Sequence, residues 1–328
     1  MAITGKGAFS VSKNDLCVTT SVGRRGVGRD RRIRLLRKTT ERCHYLMIGA
    51  SVAMANERVK SGKPAILLVA FGTSVPEGRA ALDHIEANVK AAFPGVEVRW
   101  SYTSSIIRKK IAREQQVIID SPLTALSKLR DDGYNQVVVH SLHVFPGREY
   151  CDLEEIVKSL QGMKTSDGPV FDRLVLSDSL LHEFNDYQRA CEAITGLIPA
   201  NSDEEALLLM GHGTDHRALS AFGCLNDLLR HQYRGKNVML ATVEGYPELQ
   251  HALGDLVASG VKKVKLAPFL VVAGGHAQKD MAGDEPQSWK SQLEAKGFVV
   301  SAHMQGLGEN DAIVNMMVDH LKKAWERQ

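Results

Sequence analysis

Several things are scarce in this 328-residue chain. It has five cysteines, and none sits in a CxxC pair. Cys151, Cys191 and Cys224 follow the first 55 residues, an odd number that argues against both a disulfide framework and a thiolate metal site. They read as small buried residues. No apolar run approaches the roughly 18 residues of a spanning helix. Neither a GxxxxGK[ST] nor a GxGxxG stretch is present, so no phosphate-cradling nucleotide loop is expected.

Charge of one sign is also scarce. Lys and Arg number 41 against 38 Asp and Glu, a net of +3. That small excess is unevenly placed. Residues 1–55 carry a net +8, so the remainder is −5. The body therefore gives no electrostatic reason to bind nucleic acid.

The basic segment reads as targeting rather than structure. Arg24–Arg42 is densely basic, and Cys43–Met54 is mostly apolar and small. Ala53-Met54-Ala55 then fits the small-x-small cleavage rule. The pattern predicts a signal peptide over residues 1–55, cleaved after Ala55, and a periplasmic protein. A disordered tail on a cytoplasmic protein is the alternative.

What is present is a regular alternation of strand and helix. The run Ala65–Ala70 (AILLVA) predicts a buried strand. Helical periodicity follows over 77–92, then a strand at Val96–Tyr102. Further helices are predicted at Ser105–Arg113 and Ser121–Asp131, a strand at Val137–Val144, a strand at Leu174–Leu176 and a helix at Tyr187–Leu197. The pattern then restarts. Strands at Ala206–Met210, Val238–Val243, Val264–Val272 and Val299–Ala302 alternate with helices at Ala218–Gln232, Pro247–Ser259, Trp289–Ala295 and Ala312–Arg327. Such alternation means parallel α/β sheets with crossover helices.

The halves resemble each other. AFGTS at 70–74 lies over GHGTD at 211–215, and the stretch 132–150 lies over 259–277. A duplicated unit follows, with one domain at 56–200 and a second at 201–328. The expected fold is two similar flavodoxin-like or Rossmann-like units whose strand ends face a central cleft. That cleft is where a ligand binds in open α/β sheets.

Three polar groups stand after consecutive strands of the second half: His212, Glu244 and His276, spaced by 32 and 32 residues. No local motif has this spacing, so any convergence is spatial. Two imidazoles and a carboxylate suit a borderline divalent metal. Taken singly, the same residues also read as a turn former, a helix cap and a loop residue. In the first half Phe71 stands where His212 stands, and Glu149 where His276 stands. Those residues would offer a flat ligand an apolar wall and one acid. Glu149 reads equally well as a helix-start acid favoured by the dipole.

The motifs LLVAFGTS (67–74), YTSSIIRKK (102–110), SPLTALSKL (121–129), SLHVFPGREY (141–150), MGHG (210–213), VEGYPE (243–248), LVVAGGHAQKDMAGD (270–284) and GLGEN (306–310) occur in order. Together they resemble the anaerobic cobalt chelatases of vitamin B12 synthesis, the CbiK type of class II tetrapyrrole chelatase. The likeness spans about residues 63–325. One departure is Gly245, where family members commonly carry Ser. The leader is a second.

The resemblance implies ATP-independent insertion of Co²⁺ into sirohydrochlorin, with Co²⁺ as substrate metal and no nucleotide. It implies metal ligands at His212, Glu244 and His276. His212 and Glu149 would take pyrrole protons, with Phe71 against the ring. Sirohydrochlorin is a polycarboxylate, so Arg108, Lys109, Lys110 and Arg148 are candidate rim cations. Fe²⁺ fits the same ligands, which leaves a ferrochelatase-like enzyme as an alternative. A periplasmic metal or tetrapyrrole carrier is another. No membrane span and no nucleic-acid partner are expected, and a homo-oligomer is compatible with the sequence.

Overall fold

The computed structural model describes residues 62–327. The signal-peptide reading of residues 1–55 lies outside the described residues. Among the described residues no helix is long and apolar enough to cross a membrane.

Two four-stranded parallel sheets organise the chain. The first contains β1 (Lys63–Ala70), β2 (Glu97–Tyr102), β3 (Tyr134–Ser141) and, after a short hairpin of β4 (Lys164–Thr165) and β5 (Gly168–Pro169), β6 (Arg173–Leu176). Its order is β2-β1-β3-β6. The second contains β7 (Glu205–Gly213), β8 (Val238–Glu244), β9 (Lys263–Pro268) and β10 (Val299–Ala302). Its order, read from β8, is β8-β7-β9-β10. The two halves thus share one topology, as the internal likeness implies. In each, the first strand is central and the third lies beside it. A central parallel strand is covered on both faces, which is why AILLVA and ALLLM are unbroken apolar runs.

Helices connect the strands: α1 (Arg79–Ala92), α2 (Ser105–Gln115), α3 (Pro122–Asp131), α4 (Arg148–Gln161), α5 (Phe184–Ala193), α6 (Leu219–Gln232), α7 (Leu249–Ser259), α8 (Trp289–Ala295) and α9 (Asp311–Glu326). Ser104, Ser121, Ser288 and Asn310 start α2, α3, α8 and α9 by accepting backbone N–H bonds on their side chains. The last helix, α9, packs against α1, α5, β3 and β6, so the chain's end returns to the first sheet. Arg173 secures that return by donating to the carbonyls of Ala324, Trp325 and Arg327. The largest buried cluster accordingly mixes both halves, with Ile66 and Leu68 beside Leu207, Leu209, Phe222 and Phe269.

The helix expected at Tyr187–Leu197 is Phe184–Ala193, and three further boundaries that differ from the sequence reading bear on the cavity. β7 runs on through Gly211-His212-Gly213 instead of turning after Met210. β3 ends at Ser141 and β9 at Pro268, each short of the expected end. In both cases the apolar run continues into a loop that lines a cavity, at Leu142–Phe145 and Phe269–Val272. An apolar cavity wall and a buried strand have the same composition. The cysteines also differ from expectation: Cys191 is buried, Cys151 is half-buried and Cys224 is exposed.

Candidate metal-insertion site

Where the carboxyl ends of the two sheets meet lies a cavity of about 520 Å³. The first half contributes Phe71, Thr73, Lys110, His143, Phe145 and Glu149. The second contributes His212, Phe222, Phe269, Val272, His276 and Asp280.

His212 is placed by the end of β7. The following residue, Gly213, has φ +82° and faces Glu244 across the strand pair. A Cβ at 213 would lie 1.6 Å from the Glu244 carbonyl oxygen. Only glycine allows the two strand ends this close. His276 opens a short π-helical turn, His276–Met281, pinned beneath by the fully buried Ala277 and Met281. Wide turns of this kind recur at functional sites.

The two imidazoles meet edge to face, with ring centroids 4.9 Å apart and planes at 88°. Each has Nδ1 bound to an oxygen. His212 Nδ1 donates to the Gly213 carbonyl at 3.0 Å, and His276 Nδ1 donates to Asp280 Oδ2 at 2.6 Å. A carbonyl has no proton to give, so in the neutral tautomer of His212 the proton sits on Nδ1 and the lone pair is on Nε2. With the Asp280 carboxylate as acceptor the same follows for His276. Metal–imidazole bonds are about 2 Å. Two rings at this separation can therefore share one ion after small side-chain adjustments.

The opposite wall is apolar with one acid. Phe71 is tilted 53° to His212 at 6.0 Å between centroids. Glu149 lies in the first turn of α4, at the position equivalent to His276 in the other half. His143, inside the stretch expected as a strand at Val137–Val144, lines the cavity. Its Nδ1 is 2.9 Å from Ser141 Oγ, and burial pushes its pKa down to about 4. It is therefore neutral near pH 7.

The remaining candidates stand further out. Glu244 ends β8 opposite Gly213 and is exposed, outside the cavity lining. Among the described residues no group of three or more His, Cys, Asp and Glu is already gathered for a metal. Arg108 and Lys109 also lie outside the lining, whereas their neighbour Lys110 is part of it. Arg148 is exposed and pairs with Asp215 at 2.8 Å, which ties the start of α4 to the loop after β7. Asp280 was missed by sequence reasoning. Its signal is the i, i+4 spacing to His276 within HAQKD.

Comparison with known proteins decides the family. Residues 64–326 match the family described as cobalt chelatase (CbiK). The chain belongs to this cobalt chelatase family. It is 39% identical over 263 residues to the sirohydrochlorin cobaltochelatase CbiKC of Nitratidesulfovibrio vulgaris, a match covering 80% of this chain and 90% of that protein. It is 37% identical to the sirohydrochlorin cobaltochelatase of Salmonella typhimurium, covering 80% of this chain and 96% of that one. Among solved structures, SirB from Bacillus subtilis with Fe³⁺ aligns with a TM-score of 0.52 at 16% identity, covering 80% of this chain and 95% of that chain. That last likeness speaks to fold, and it agrees with a chelatase built of two parallel α/β units. The cobalt chelatase family is a family of enzymes, and the cavity described above holds two facing imidazoles.

Proposed function

We propose that this protein inserts Co²⁺ into sirohydrochlorin without a nucleotide, in cobalamin synthesis. One observation supports the reading most: two imidazoles held through Nδ1 line a largely apolar cavity together with Phe71 and Glu149 of the first half. The related cobaltochelatases, at 37–39% identity, point the same way.

The reaction exchanges two pyrrole protons for one metal ion. His212 and His276 hold the incoming Co²⁺ through nitrogen. Glu244, exposed at the adjacent strand end, turns in as third ligand. A set of two nitrogens and one oxygen leaves coordination positions open, so the ion can pass on to the ring. The macrocycle lies against Phe71. Once the ion has passed to the ring and left His212, the Nε2 lone pair it vacates accepts one pyrrole proton, and Glu149 accepts the other. Both protons then leave to solvent. Lys110 meets a substrate carboxylate inside the cavity, while Arg108, Lys109 and Arg148 attract the others at its rim.

The domain division at 56–200 and 201–328 is supported by the shared strand order. The leader supports a periplasmic protein cleaved after Ala55, which amino-terminal sequencing of periplasmic material checks.

The test is spectrophotometric. The full chain should convert sirohydrochlorin to its cobalt form, with no change of rate on adding ATP. Parallel runs with Fe²⁺ establish the metal preference. His212→Ala should abolish insertion, and wild-type rates in that variant would remove the assigned role. A protein that binds the macrocycle yet never metallates it is a carrier.

A further inference from the structure

The Asp280 side chain has no part in the reaction as written above. It touches neither proton nor macrocycle there, yet it makes the shorter of the two bonds that hold the imidazoles. The two histidines are held differently. His212 donates Nδ1–H to the carbonyl of its own neighbour, Gly213, so its partner comes with the strand. His276 depends on a side chain four residues on. In an ordinary helix that spacing places two side chains on one face. Here the π turn is pinned by Ala277 and Met281, both fully buried, and its far end by Ser288 Oγ–H donating to the Gly283 carbonyl at 2.6 Å. The backbone under His276 and Asp280 is thus fixed, and both side chains line the cavity.

We propose that Asp280 is a positioning residue that locks His276 in the tautomer and ring orientation presenting Nε2 to the metal. The inference rests on the reading of His276 as a metal ligand. With no acceptor at 280, the proton of a neutral His276 moves freely between the two ring nitrogens. The ring is also half-exposed, so it can swing away from His212. Outer-shell carboxylates that hold ligating histidines typically account for 10–100-fold in metal affinity or activity.

The experiment measures binding of Co²⁺ alone to the full chain, by competition with a chelating dye, and insertion kinetics with each substrate varied. Asp280→Ala should weaken Co²⁺ binding about 10–100-fold. The KM for the macrocycle and the melting temperature should stay at wild-type values. Asp280→Asn keeps an acceptor oxygen in the same place and should recover much of the loss. The double variant His276→Ala/Asp280→Ala should bind Co²⁺ no worse than His276→Ala, because Asp280 acts through the ring. Wild-type Co²⁺ affinity in Asp280→Ala overturns the proposal. So does a double variant weaker than His276→Ala, which makes Asp280 a direct ligand. A macrocycle KM that moves together with the melting temperature assigns it a structural role instead and also overturns the proposal. If the wild-type chain binds Co²⁺ but inserts none, the functional reading fails, while the binding series still judges Asp280.

Discussion

Replacing Gly213 by alanine tests how the site is built. The added methyl would sit 1.6 Å from the Glu244 carbonyl oxygen and 2.8 Å from Thr242 Cβ. Ordinary carbon contacts begin near 3.4 Å, so the backbone of β8 must retreat by almost 2 Å. No rotamer relieves this, because the clash is with main chain. Residue 213 also has φ +82°, which costs an L-residue about 1–2 kcal/mol. The control is Gly235, with φ +77° and nothing within 4 Å of its hypothetical Cβ. Gly235→Ala carries the conformational cost alone. It should lower the melting temperature by a few degrees, at roughly 2–4 °C per kcal/mol for a chain of this size. Its insertion rate should match wild type. Gly213→Ala should melt lower still, and its displacement falls on His212 and Glu244. A misplacement of about 1 Å costs on the order of 100-fold in rate. Co²⁺ insertion should therefore fall at least that far in protein that is still folded by circular dichroism. If Gly213→Ala inserts cobalt within two- or threefold of Gly235→Ala, the close approach of β7 and β8 does not set the geometry of the site.

Three other outcomes follow from separate parts of the structure. Burial pushes the His140 pKa from its ordinary value near 6.5 down to about 3, with His320 adding to the effect. The unfolded chain therefore binds a proton that the folded chain refuses. Below about pH 6.5 each further unit costs about 1.4 kcal/mol, until the folded pKa is reached. His143, held down to about 4, adds a second contribution of the same sign. Stability measured by denaturant should therefore fall between pH 7 and pH 4, and His140→Gln should make that fall shallower by about 1.4 kcal/mol per pH unit without abolishing it. Asp186 is buried at the start of α5, where Oδ2 accepts the N–H groups of His182 and Glu183 and Oδ1 lies 3.2 Å from His320 Nε2. Asp186→Ala leaves the N–H groups of His182 and Glu183 without their acceptor and should cost about 1–3 kcal/mol in unfolding titrations, with insertion per folded molecule unchanged. Lys110 lies in the cavity wall, so Lys110→Gln should raise the macrocycle KM several-fold with kcat retained. That difference should shrink in high salt, since screening weakens exposed charge pairs.

Much of the fold was legible because burial on both faces leaves a plain mark. β1 and β7 are central strands, and their apolar runs locate them to within three residues. The helices expected at Ser105–Arg113 and Ser121–Asp131 are α2 and α3, begun by the side chains of Ser104 and Ser121. Legibility ended where the chain lines the cavity. Leu142–Phe145 and Phe269–Val272 are apolar because they face a ligand cavity, so composition extended β3 and β9 into loops. The convergence of His212 with His276 was legible, since consecutive turns of one parallel sheet open on one edge. Which rim residues face inward was not. Arg108, Lys109 and Lys110 are consecutive, and only the helix phase selects Lys110. His143 falls within the strand expected at Val137–Val144, where a histidine reads as core, whereas β3 ends at Ser141 and leaves it in the cavity loop. Asp280 was passed over although it stands inside the motif at 270–284, four residues after His276, because attention to first ligands leaves out the side chains that hold them.

The shared strand order sharpens the comparison between the halves. The end of the first strand and the start of the helical segment after the third are equivalent points in each. One half places His212 and His276 there, and the other places Phe71 and Glu149. At these equivalent points the two halves differ in chemistry, and the proposed reaction gives a physical reason. A planar macrocycle takes a single ion, delivered to one face. A second pair of imidazoles on the facing wall would recruit a second cation, and two like charges across a ring would repel. It would also offer the inserted metal an axial ligand on each side, which slows product release. An aromatic ring holds the macrocycle by stacking without competing for the metal. A lone carboxylate can take a proton from that face without completing a metal site, because one oxygen ligand is too few to retain a borderline ion. Under this reading the first half is not a degenerate copy of the second: the apolar wall is what lets the histidine wall release its cargo.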